Sequence, residues 1–222
     1  MSILFVLLTF LLIMVITYFI RGRDERVLAA KTVLATATPA QPVMTREMGF
    51  DLPRGYFFHP GHTWAIDEGH QNARIGLDGF AANLFGKAER IEVAALNRWV
   101  RQGQKLWSVT FDGQTVDMLS PVEGVLISVN NSVLKDPELA LKDPYKEGWI
   151  CVIKSPEINT NLKNLVQGPM VAPWMQSTLS RLASMTAQSA AVMQDGGQPV
   201  AGLLKKVDAD LQRRIVREFF LT

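Results

Sequence analysis

Few side chains in this sequence have the type and spacing to do chemistry. His59 and His62 have the His-x-x-His spacing that can hold a metal ion. No cysteine or carboxylate motif stands beside them, and the pair falls where a loop enters a strand. They are therefore read as structural or surface residues, and no metal is assigned. His70 falls in a polar turn and is read as solvated. Cys151 lies between Ile150 and Val152, the setting of a small buried hydrophobe and not of a nucleophile. It is the sole cysteine, which excludes an intrachain disulfide framework, a zinc ribbon and a CxxC redox pair. No G-x-S-x-G elbow, P-loop or G-x-G-x-x-G run occurs, and Gly196–Gly197 reads as a linker between helices. The sequence thus assigns no catalytic residue. The 23 Lys+Arg against 21 Asp+Glu give a net charge of +2, too balanced for a protein that coats nucleic acid.

The elements around these residues fall into three parts. Ile3 to Ile20 is an uninterrupted uncharged apolar run. At about 1.5 Å per residue it reaches about 27 Å, close to the hydrocarbon thickness of a bilayer. Arg21, Arg23 and Arg26 follow it, nothing basic except the amino terminus precedes it, and no small-residue cleavage site closes it. The expectation is an uncleaved single-pass anchor in the inner (cytoplasmic) membrane, with the N-terminus outside and the rest in the cytoplasm. Residues 1–31 then form the anchor and a juxtamembrane helix, and residues 32–47, small and Pro-containing, a linker.

Residues 48–168 are read as one domain, and between Tyr56 and Ile153 its strand signals are short and turn-bounded. Thr63–Ile66 and Ala73–Leu77 read as a hairpin around Asp67–Asn72. Asp78 is placed to N-cap a short helix over Gly79–Phe85 that Gly86 ends. Strands are expected at Arg90–Ala94, Lys105–Phe111, Thr115–Leu119, Val125–Val129 and Trp149–Lys154. Residues 169–222 read as helical. One helix is expected over Trp174–Met193, and a second begins at Pro199 with Val200, Leu203, Leu204, Val207, Leu211, Ile215 and Phe219 on one apolar stripe. Lys205, Lys206, Arg213, Arg214 and Arg217 make the remainder of that helix basic.

Three stretches in register resemble the H protein of the glycine cleavage system. They are His62-Thr-Trp-Ala with Ala73-Arg-Ile-Gly-Leu-Asp-Gly-Phe-Ala; Ser120-Pro-Val-Glu-Gly-Val-Leu-Ile-Ser-Val-Asn; and Asp136-Pro-Glu-Leu with Asp143-Pro-Tyr-Lys-Glu-Gly-Trp-Ile. The resemblance covers roughly residues 55–166. It implies a mainly β barrel-sandwich hybrid with a hairpin that presents a lipoyl-lysine, the arm that carries an aminomethyl group between partner enzymes. Along Gly103 to Gly124 the family's lysine position falls on Gly113, which has no amine to acylate, while Asp117 matches an acidic position after it. Asp112-Gly113 reads instead as a tight-turn pair.

The expectation is a non-catalytic accessory or scaffold subunit of a membrane protein complex, with no cofactor. Its contacts would be the bilayer through Ile3 to Ile20, and partner subunits through Trp174, Lys205, Arg213, Arg214, Arg217, Phe219 and Phe220. The alternative is a membrane-tethered carrier related to the H protein, modified at another lysine or acting non-covalently.

Overall fold

The computed structural model describes Met14, residues 44–47, residues 49–187 and residues 199–221. Met14 is helical. The rest of the expected anchor Ile3–Ile20, its extension to Lys31 and the linker as far as residue 43 lie outside the described residues. Among the described residues no helix is long and apolar enough to cross a membrane.

Strand β1 (Met44–Glu47) pairs antiparallel with β2 (Phe50–Pro53). β1 occupies the end of the segment read as linker. Its short run of mixed side chains gives no alternation strong enough to mark a strand, and the pairing with β2 stabilises it. A six-stranded antiparallel sheet follows, in the order β3 (Phe57–His59), β4 (Thr63–Asp67), β5 (Asn72–Leu77), β11 (Cys151–Lys154), β10 (Gly124–Val129) and β7 (Trp99–Val100). A three-stranded sheet has the order β6 (Arg90–Val93), β8 (Lys105–Phe111), β9 (Gln114–Leu119). The mainly β expectation agrees with these sheets.

The β4–β5 hairpin forms where the sequence places it. Its register pairs Trp64 with Gly76. A Cβ on Gly76 would lie 2.5 Å from Trp64 Cζ2, so only glycine leaves room for the indole there. Trp64 Nε1 donates to the carbonyls of Leu77 (2.8 Å) and Pro144 (3.1 Å).

Helix α1 (Gly79–Phe85) is capped as expected. Asp78 Oδ1 accepts from the Ala81 N–H at 2.8 Å, and Gly86 closes the helix with φ +68°. Two short helices, α2 (Asn131–Lys135) and α3 (Glu138–Lys142), connect β10 to β11, and α4 (Ile158–Lys163) follows β11.

The motif residues that carry the resemblance act as fold-holding groups. Asn130 accepts from the Ser132 N–H at 3.1 Å and donates from Nδ2 to the Glu147 and Trp149 carbonyls, both at 2.8 Å. Tyr145 Oη accepts from the Gly79 N–H at 3.0 Å, and Tyr56 Oη donates to the Tyr145 carbonyl at 2.7 Å.

The C-terminal part differs from the expectation in two places. Helix α5 spans Val171–Thr186, entered from a 3₁₀ turn at Gly168–Met170. It starts three residues before Trp174, and the expected end at Met193 lies outside the described residues. The second helix does not start at Pro199. Pro199 is buried and a turn follows it. The helix is two helices, α6 (Leu203–Lys206) and α7 (Ala209–Phe220). Asp208 breaks it by N-capping α7, with Oδ1 accepting from the N–H groups of Asp210 (3.0 Å) and Leu211 (2.9 Å).

Residues 42–222 form one unit. Leu203, Leu204, Leu211, Ile215, Phe219 and Phe220 are buried in the same core as the sheets and α1. The Gly202 N–H donates to the Asn83 carbonyl at 2.8 Å. Gly86 is packed so closely that a Cβ on it would lie 2.4 Å from the Gly202 Cα. Two glycines thus let the α6 entry dock on the end of α1.

Candidate functional site

The hairpin tip is built by alternation and turn chemistry. Strand β8 buries Leu106, Trp107, Val109 and Phe111, and β9 buries Val116 and Met118. Phe111 pairs with Gln114, which leaves a two-residue loop of Asp112 and Gly113. Their φ values, +47° and +72°, are those of the primed turn that matches strand twist. Phe111 anchors the base against Phe85, with ring centroids 5.1 Å apart. Thr110 and Thr115 hydroxyls lie 3.1 Å apart across the strands.

Lys205 and Glu89 flank the tip. Asp112 Oδ1 is 3.0 Å from Lys205 Nζ. The Gly113 N–H donates to Glu89 Oε2 at a long 3.4 Å. Away from the tip, Asp117, the acidic position that follows it in sequence, is ion-paired with Lys105 at 2.5 Å. Lys105 starts β8 and is thereby held at the far end of the hairpin. Nothing in the sequence spacing signals Lys205. It reaches the tip because α6 docks on α1, and α1 supports Phe111.

The expected partner-binding residues separate into two groups. Lys205, Arg213, Arg214 and Arg217 are exposed. Phe219 and Phe220 are buried, a correction to their reading as interface anchors. Phe219 meets Phe80 (5.2 Å between centroids) and His62 (6.0 Å), and Phe220 stacks on Phe85. Trp174 is half-buried and stacks on the His62 ring at 5.1 Å. The domain's own aromatic side chains cover these three residues.

The histidines act structurally. His62 is buried, and its Nδ1 lies 2.7 Å from Asp78 Oδ2, so it donates there while Asp78 caps α1 with the other oxygen. His59 Nδ1 accepts from the Gly61 N–H at 3.0 Å. Burial, with the neighbouring His62 acting in the same sense, lowers the His59 pKa to about 4. Among the described residues no three His, Cys, Asp or Glu side chains gather as a metal site would require. Cys151 is fully buried, and burial pushes its thiol far above the ordinary range, where it stays protonated. His70 is exposed in the β4–β5 turn with φ +53°.

The glycine cleavage H-protein family model matches residues 56–178, more than half of the chain. The chain belongs to the glycine cleavage H-protein family. The glycine cleavage system H protein of Thermus thermophilus is 33% identical over 104 residues, 47% of this chain and 80% of that protein. That of Prochlorococcus marinus is 33% identical over 107 residues, 48% of this chain and 82% of that one. A crystal structure of a glycine cleavage system H protein from Mycobacterium marinum is similar with a TM-score of 0.48 at 17% identity, over 57% of this chain and 98% of that one. The H-protein match takes in every motif of the sequence reading and runs through the first half of α5. Helices α6 and α7 lie beyond it.

Proposed function

We propose that this H-protein domain serves as a non-catalytic accessory or scaffold surface in a membrane protein complex and carries no lipoyl group. The observation that supports this reading is the hairpin tip. Position 113 is a glycine at φ +72° in a closed two-residue turn, and it offers no amine for acylation. A fold can keep its surface role after its chemistry is lost. Trp99, on β7, and Ile127, on the neighbouring β10, stay exposed on one edge of the large sheet, as a subunit contact would need. In this reading the Ile3–Ile20 run tethers the chain to the inner membrane, with residues 21 onward in the cytoplasm.

One observation favours a second reading, that of a carrier modified at another lysine. The Lys205 ammonium stands beside the tip, 3.0 Å from Asp112. Its relatives by sequence are H proteins. In the first reading this lysine is a clasp, and its amine remains free of acyl groups.

Carbonate washing of native membranes tests the tether. The full chain should stay in the pellet and need detergent for release, and deletion of residues 1–31 should free it. Protease added outside intact cells should leave residues 55–222 uncut. Release by carbonate alone would overturn the anchor, and cleavage without permeabilisation would reverse its orientation.

A further inference from the structure

The exposed side of α7 and the start of β9 border a groove of about 540 Å3 beside the hairpin tip. Its apolar part is Val116 and Val216, and its strand wall is the neutral polar pair Gln114 and Thr115. Arg213, Arg214 and Arg217 line it from the helix. Residues 213 and 217 are one helical turn apart, as are 214 and 217, so three positive charges share one short surface and repel one another.

Most carboxylates that could relieve this repulsion are engaged, and Asp208, the N-cap of α7, acts on Arg214 only from a distance while it accepts from the N–H groups of Asp210 and Leu211. Asp210, at the groove, pairs with Arg213. Glu218 is drawn away to Arg181 at 2.8 Å, and Asp117 of β9 is held by Lys105. Arg214 and Arg217 have no ion-pair partner among the described residues. Arg217 gains from its place in the last turn of α7, but Arg214, mid-helix, does not. Two planar guanidinium groups beside the Gln114 amide match a doubly charged tetrahedral oxyanion better than a single carboxylate, which would neutralise only one of them. The volume is in the range of small-ligand sites.

We propose that the α7–β9 groove is a binding site for a phosphate group, held by Arg214 and Arg217 with Gln114 and Thr115 on the opposite wall. The phosphate can belong to a small metabolite or to an anionic lipid headgroup, since both present the same oxyanion.

The test uses the full chain in uncharged detergent micelles at fixed ionic strength. Inorganic phosphate and pyrophosphate are titrated while the backbone amide resonances of Gln114, Thr115 and Val116 are followed. Saturable shifts at those three positions are expected, and the double variant Arg214→Gln/Arg217→Gln should bind at least tenfold more weakly. Both residues are exposed, so the variant's remaining resonances report that its fold is intact. A second arm places the full chain in phosphatidylcholine nanodiscs with or without phosphatidylglycerol. Shifts that appear only with phosphatidylglycerol and vanish in the double variant support the proposal with a lipid headgroup as the source. Shifts with the free anions support it with a soluble ligand. The proposal is overturned if neither arm perturbs the groove, or if the double variant responds like the native chain.

Discussion

The Phe220 ring stacks on Phe85, with centroids 5.1 Å apart and planes at 17°. Phe85 also packs on Phe111 at the base of the hairpin tip, so the last helix, α1 and the tip-bearing strand share one core. An apolar stripe on the last helix needs a cover. In this chain α1 and its neighbours supply it, and no partner is needed for that purpose.

Removal of residues 199–222 should therefore destabilise the whole domain. It would bare Phe80, Phe85 and the His62 ring, all in contact with Phe219 or Phe220. Phe220→Ala alone should cost about 3–5 kcal/mol, the usual cost of a large-to-small change at a buried aromatic. Urea denaturation of the variant checks this, and a midpoint equal to that of the native chain would show that α7 is only an appendage.

Gly113→Lys should fail to make the tip a carrier. A Cβ there would meet no atoms within 4 Å, but the φ of +72° disfavours any residue that carries one, at about 1 kcal/mol. Asp112 beside it stays clasped by Lys205. Coexpression with a lipoylating enzyme followed by peptide mass mapping should find residue 113 unmodified. Efficient acylation there would mean that a single residue separates this tip from a working one.

The fold should weaken with acid in a window set by His59. In the unfolded chain this imidazole takes a proton below its ordinary pKa of 6.5, and in the fold only below about 4. Between those values the unfolded state binds the extra proton, so stability falls as pH falls, and above pH 6.5 the contribution is complete. The loss by pH 4 is up to about 3 kcal/mol. The neutral ring is also the form whose Nδ1 accepts the Gly61 N–H. Urea midpoints at pH 7 and 4.5 should converge in His59→Asn relative to the native chain; an unchanged difference would place the acid sensitivity elsewhere.

Local signals made much of this fold legible. Asp78 and Gly86 bracket α1 because an N-cap carboxylate and a positive-φ glycine act within a few residues of the helix they bound. Asp112-Gly113 marks its turn for the same reason. Long-range partners leave no such mark. The contacts of Phe219 with Phe80 and of Lys205 with Asp112 join residues far apart in sequence, so the helix periodicity showed an apolar stripe without showing its cover. The break at Asp208 had a local signal, an N-cap aspartate, but the continuous apolar spacing on either side of it concealed the turn. At β1 the linker composition outweighed a strand whose identity depends on pairing with β2.

In the proposed function this H-protein-family chain acts without a lipoyl group. The intact mass of the full chain purified from its native host decides this. The expected mass carries no acyl group on any lysine, Lys205 included. A lipoyl adduct on Lys205 or another lysine would contradict it and make the chain a carrier.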